Sequence, residues 1–193
     1  MKSEKSHVTL AIIFANALIS ALNSNADLKP FAVHGILSED FEFYQIITYM
    51  WLHDGYIHML LNMFLFYSFG VLLEKMMGHK AFFVFYLVCG IGGALIVSLI
   101  GTKIPVIGAS ISVMGILTGL AWVEPRARLL IAMVIPLKIR VALGIIVTTE
   151  ILTLIFYPGS MFAHVGHLSG MAVATLVLVV QHYEDLIERF KKS

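Results

Sequence analysis

The stretch His58-Met59-Leu60-Leu61-Asn62-Met63-Phe64-Leu65-Phe66 lies in an apolar run from about residue 57 to 76, and its reading decides the fold. A hydrocarbon core about 30 Å thick needs roughly 20 apolar residues per helix, which this run supplies. Within the stretch from His58 to Phe66 the two polar residues, His58 and Asn62, stand four apart and so share one helix face. A histidine and an asparagine placed that way in lipid must look into a bundle of further helices.

The rest of the chain supplies those helices. Of 193 residues, 59% are hydrophobic and 13% charged, with a mean hydropathy of +0.90, against about a quarter charged in an ordinary soluble domain. Thirteen Lys and Arg with twelve Asp and Glu cannot cover a water-facing surface of this size. A disordered chain, a coiled coil and a water-soluble globule are excluded, and the chain reads as an integral membrane protein. A single cysteine, Cys89, excludes a disulfide framework and a multi-cysteine metal site. A net charge of +1 argues against a nucleic-acid partner.

Pro30, Pro105, Pro125, Pro136 and Pro158 all fall between apolar runs. The runs between them predict six spans, at about 7–22, 57–76, 81–101, 110–124, 141–157 and 164–182. The fourth and fifth are short, and a short helix can begin below the surface where it lines a wet cavity. With the N-terminus cytoplasmic, Lys2, Lys5, Lys75, Lys80, Arg126, Arg128, Lys138, Arg140, Arg189, Lys191 and Lys192 share one side, against Lys29 and Lys103 on the other. That bias predicts both termini in the cytoplasm and a protein of the cytoplasmic membrane. The first run has no small-residue cleavage site and reads as a retained helix. Residues 23–56 are too long and too apolar for a free connector and should lie half-sunk in the outer leaflet. Residues 125–140 read as an interfacial segment with its cations at the headgroups. No boundary or repeat divides the chain, so 1–193 reads as one domain.

Three further groups of polar residues stand out. Ser110 begins the short fourth span, where a serine can also serve ordinary helix packing or bond to the preceding turn. The sixth span opens Ala163-His164-Val165-Gly166-His167-Leu168-Ser169-Gly170, with Gly166, Gly170 and Ala174 forming a small-residue stripe for close helix contact. If the stripe meets the fourth span, Ser110 and His164 lie at similar depth, and a hydroxyl beside an imidazole is a nucleophile beside its base. His58 and Asn62 would then face a developing oxyanion; their alternative is interhelical hydrogen bonding. Glu150 reads as a carboxyl hydrogen-bonded inside the bundle, or as a proton-relay group, and Glu74 as a tie to a neighbouring loop. His53, His58, His164 and His167 follow no standard ligand spacing, so no metal or cofactor is expected.

Taken together, Tyr44-Gln45, Leu52-His53, His58 to Met63, Phe69-Gly70 with Glu74 and Gly78, and Tyr86 with Cys89-Gly90-Ile91-Gly92-Gly93 carry a family likeness. It continues through Gly108-Ala109-Ser110, Gly115, Ile135 to Lys138 and Ala163-His164-Val165-Gly166-His167. In order and spacing these resemble the rhomboid family of intramembrane serine proteases, of the bacterial type with six transmembrane helices. The resemblance implies an all-α membrane bundle with a membrane-dipping loop between the first two spans. It implies Ser110 as nucleophile, His164 as general base, and His58, Asn62 and Gly108 on the oxyanion and substrate side. It implies a serine-histidine dyad with no third acid, acting on single-span transmembrane proteins from the outer side. Three positions depart from the family pattern. Ile111 replaces the glycine after the serine, Met114 replaces an aromatic, and Tyr44-Gln45 stands where many members have Trp-Arg. Ile111 beside the nucleophile would crowd the scissile bond. A catalytically inactive rhomboid-like binder of transmembrane segments, or a small transporter using Glu150 and the histidines, are the other classes the residues allow. A homodimer is compatible with all three.

Overall fold

The computed structural model describes residues 6–23, 26–102, 104–131, 135–157 and 161–192. Lys2, Lys5, Lys103 and Pro158, used above for orientation and span limits, lie outside them. Among these described residues are six helices of 14 residues or more: α1 (His7–Leu22), α3 (Gly55–Met77), α4 (His79–Ile100), α5 (Ser110–Val123), α6 (Ile139–Phe156) and α7 (Met161–Lys192). The remaining helix, α2 (Gln45–Thr48), lies in the long loop beside the 3₁₀ turns Lys29–Phe31 and Tyr49–Trp51. Four helices, α3, α4, α6 and α7, are long and apolar enough to cross a membrane, and α1 and α5 are shorter apolar helices. The last helix continues ten residues past its predicted limit, to Lys192.

The periodicity of α3 shows how such a sequence builds a bundle. Met59, Asn62, Met63, Phe66, Phe69, Gly70 and Leu73 are buried, while Ile57, Leu60, Leu61 and Phe64 are exposed. One face packs on helices and the other presents hydrocarbon. At Gly78 the chain passes from α3 to α4 in one residue with φ +81, a conformation in which a Cβ would be strained. Buried Glu74 accepts from the Val8 and Thr9 backbone N–H groups at 2.9 and 2.8 Å and from the Thr9 hydroxyl at 2.6 Å. It therefore caps the first turn of α1 with a carboxylate from another helix, rather than tying a loop.

α5 is the centre of the bundle, with every residue from Ile111 to Ala121 buried, and it packs against α3, α4 and α7. The 125–140 segment, expected at the interface, adds a small strand pair to the helical bundle. Arg128–Ile131 pairs antiparallel with Ile135–Lys138, matching Arg128 to Lys138 and Leu129 to Leu137. A strand carrying Pro136 suits a short edge ladder better than a helix interior. The 26–54 loop packs across one end of the bundle. Val33 and Val106 exchange backbone hydrogen bonds at 2.9 and 3.0 Å, and Ala32, Val33, Tyr49 and Met50 are buried, while Leu37 and Phe43 are exposed.

Candidate active site

Ser110 is the first residue of α5, whose first-turn N–H groups receive no side-chain cap. The approach to it is fixed by two residues of the long loop. Tyr49, fully buried, donates its hydroxyl to the Gly90 carbonyl on α4 at 2.8 Å, and its own carbonyl accepts from Gly108 N–H at 2.9 Å. One turn on, the buried His53 ring presents Nε2 to the Ala109 N–H at 3.5 Å. The two backbone groups preceding the serine are thereby tied to the loop. Gly108 has φ +116, and a Cβ there would lie 3.1 Å from Cε1 and Nε2 of His58 and 3.8 Å from Ser110 Oγ. Glycine is needed for conformation and for space, because the His58 ring and the serine hydroxyl converge over that position.

His58 Nδ1 accepts a long hydrogen bond from the Asp54 N–H at 3.4 Å. That places the ring proton on Nε2, the nitrogen turned toward Gly108. Asn62, buried one turn further, donates to the His58 carbonyl of its own helix at 3.1 Å. Gly108 N–H is likewise engaged, by Tyr49, so the His58 Nε2–H and the second amide hydrogen of Asn62 are the expected donors left for an oxyanion.

On α7 the small-residue stripe meets α5 as expected. A Cβ on Gly170 would fall 2.1 Å from the Ile111 carbonyl oxygen, and one on Gly166 would fall 2.9 Å from Ile111 Cδ1. Ile111 is 1% exposed, and its Cγ2 also occupies the space over Gly93 of α4. The expectation that it crowds the scissile bond is corrected: the side chain points away from the cavity into a socket of three glycines. Met114 is buried in the same core.

The expectation of a site without an acid is corrected by α6. Glu150 of α6, 9% exposed, accepts from both α7 histidines: its Oε2 is hydrogen-bonded to His164 Nδ1, and its Oε1 meets His167 Nδ1 at 2.9 Å. The two imidazoles stand perpendicular with centroids 6.1 Å apart. His-x-x-His puts both rings on one face of α7, and the length of α6 delivers a carboxylate between them. Neither histidine hydrogen-bonds Ser110, whose hydroxyl has no hydrogen-bond partner among the described residues. The two differ in place. His167 falls between Gly166 and Gly170, the two glycines packed on Ile111, the residue after Ser110. His164 lies about 4.5 Å further along the axis, toward the start of α7.

A cavity of about 310 Å³ reaches this region, lined by Asp54, His58, Pro105, Val106, Phe162 and Ala163. Sequence reasoning missed Tyr49, His53, His167 and Glu150 as site residues. A histidine five residues before His58 was the visible signal for His53; a carboxylate from a different span left none.

The family model described as Rhomboid domain matches residues 40–184. The chain is 29% identical over 147 residues to RHOMBOID-like protein 6, mitochondrial, of Arabidopsis thaliana, covering 72% of this chain and 45% of that one. It is 29% identical over 149 residues to RHOMBOID-like protein 2 of the same plant, covering 72% and 44%. Inactive RHOMBOID-like protein 8 is 31% identical over 81 residues, covering 42% and 23%. The chain spans less than half the length of these curated relatives.

Proposed function

Since the chain belongs to the rhomboid family, we propose that it is an intramembrane serine protease with Ser110 as nucleophile and an α7 histidine as general base. The observation that carries this reading is the tautomer imposed by Glu150. A carboxylate facing Nδ1 holds the ring proton there and leaves Nε2 bare, the form able to take the serine proton. His167 fits the role better than His164 because it lies between the two glycines that pack on the residue after Ser110.

In the reaction, Ser110 Oγ attacks the scissile carbonyl as its proton passes to Nε2 of His167. The negative charge on the carbonyl oxygen is met by the Nε2–H of His58 and by the Ser110 backbone N–H at the uncapped start of α5. His167 returns the proton to the leaving amine, and water then hydrolyses the acyl-enzyme by the same route. A serine–histidine gap in the unliganded site closes when substrate packs the cavity.

Substrates on this reading are single-span membrane proteins whose helices unwind into the cavity, in a cytoplasmic membrane with the site on the outer side and both termini inside. Exposed Leu37 and Phe43 on the long loop support its lying in the outer leaflet. The second reading, a rhomboid-like binder without hydrolysis, is favoured by the unbonded Ser110 hydroxyl and by similarity to a relative named inactive. Incubation with a panel of single-span substrates in liposomes, beside fluorophosphonate labelling, separates them. Cleavage and labelling that vanish in Ser110→Ala support the protease; binding without either supports the second reading.

A further inference from the structure

Hydrolysis needs one imidazole on the orienting carboxylate, yet two are present. We propose that Glu150, His164 and His167 form a binding site for a divalent transition-metal cation of the Zn²⁺ class, and that the bound ion switches the histidine base off.

The donor atoms of the three residues lie within 4.8 Å of one another. Two imidazoles and a carboxylate are a nitrogen–oxygen set suited to Zn²⁺, with bonds of about 2.0–2.2 Å and a fourth position open to water. A tetrahedral ion with such bonds separates its ligand atoms by roughly 3.3 Å. Glu150 Oε1 and His167 Nδ1 are 2.9 Å apart, so that ring needs to open by a few tenths of an ångström, and the more tightly hydrogen-bonded His164 ring has to open further. The side chains are also reachable. The His164 and His167 side chains are 21% and 20% exposed and that of Glu150 11%, and Ala163, the residue before His164, lines the cavity together with His58. The histidines come from one rigid helix and the carboxylate from its packed neighbour, which holds the three in place before any ion arrives.

The chemical consequence follows from the tautomers. A neutral imidazole that gives its Nδ1 lone pair to a metal carries its single proton on Nε2. In His167 that proton occupies the atom that must accept the one from Ser110. No bond to carbon changes, and the ring proton moves from Nδ1 to Nε2 without net release. The ion is therefore a reversible inhibitor. This last step rests on the protease reading; the metal site does not.

The test uses the full chain purified in detergent. Co²⁺ is titrated while the visible d–d absorption of four-coordinate cobalt is followed, and Zn²⁺ is then added to displace it. Expected are one equivalent of Co²⁺ bound with a strong band, loss of the band in Glu150→Gln and in His164→Gln, and an unchanged band in Ser110→Ala. Should either ligand variant fail to fold, Zn²⁺ protection of wild-type His164 and His167 against diethylpyrocarbonate, read by mass spectrometry, tests the same site. A wild-type protein that gives no cobalt band and no protection overturns the site. Fluorophosphonate labelling of Ser110 should fall about 100-fold at saturating Zn²⁺, the lower range of what a general base supplies, and recover with chelator. Unaltered labelling of a protein that does bind Co²⁺ overturns the inhibitory switch.

Discussion

The carboxylate of Glu150 on α6 meets Nδ1 of His167 on α7 at 2.9 Å, and this joins a helix without other chemistry to the centre of the site. An orienting carboxylate fixes the tautomer of its histidine and stabilises the imidazolium formed during reaction. Glu150→Gln keeps the shape but presents an amide that can donate to Nδ1 and turn the tautomer over. We expect turnover to fall by about 10²–10⁴-fold, the range of a general base and its orienting acid. A rate within threefold of wild type would show that helix packing alone holds the imidazole.

The two histidines on that carboxylate are distinguished by depth. His167→Ala should reduce cleavage and probe labelling by about 10²–10⁴-fold, whereas His164→Ala should retain more than a tenth of the wild-type rate, both measured on the same liposome-reconstituted substrate. The reverse ranking would move the base one turn toward the start of α7 and make His167 the accessory residue.

Ile111 packs its branched chain over Gly93 and Gly166 at 1% exposure. Ile111→Gly empties that socket at the first turn of α5, and deleting a buried chain of this size costs about 2–5 kcal/mol. The variant should melt at lower temperature in detergent without any gain in labelling. An increase in activity would mean that the side chain limits substrate approach after all.

Gly170 and Gly144 are both helical glycines, and their surroundings are opposite. A Cβ on Gly170 would sit 2.1 Å from the Ile111 carbonyl oxygen, a backbone atom that cannot rotate away, whereas Gly144 is exposed with nothing within 4 Å. Gly170→Ala should separate α5 from α7, lower the melting temperature and abolish labelling. Gly144→Ala should be neutral or stabilise by about 0.5–1 kcal/mol. Thermal melting of the pair, side by side, decides whether the stripe holds the two helices together.

The bundle was legible in the sequence because apolar run length and proline placement are local properties, and so was the Gly166-Gly170 contact, which is a spacing within one helix. The pairing of Arg128–Ile131 with Ile135–Lys138 was not, since four-residue strands carry too few positions for a period to register. The partner of the α7 histidines was hidden for a different reason. Glu150 lies 14 and 17 residues from them, on another helix, and only the packing of α6 on α7 brings it there. Ile111 was misread because its direction depends on glycines from two other helices, none adjacent to it in the chain.

His53 gives the site a dependence on acid that can be measured apart from catalysis. Burial, and secondarily the His58 ring with its centroid 5.1 Å away, lower its pKa from 6.5 to about 4. The unfolded chain therefore binds a proton between those values that the folded chain refuses. Stability from this group is fully present above pH 6.5 and is lost progressively as pH falls toward 4, by at most about 3 kcal/mol. Protonation also removes the Nε2 lone pair that faces Ala109 N–H, so the turn before Ser110 loosens in the same range. Replacement by Asn keeps a short polar side chain without a group that titrates there. Melting temperature followed from pH 7 to 4.5 in detergent should decline for wild type and flatten for His53→Asn. Parallel declines in the two proteins would assign the acid sensitivity to other groups.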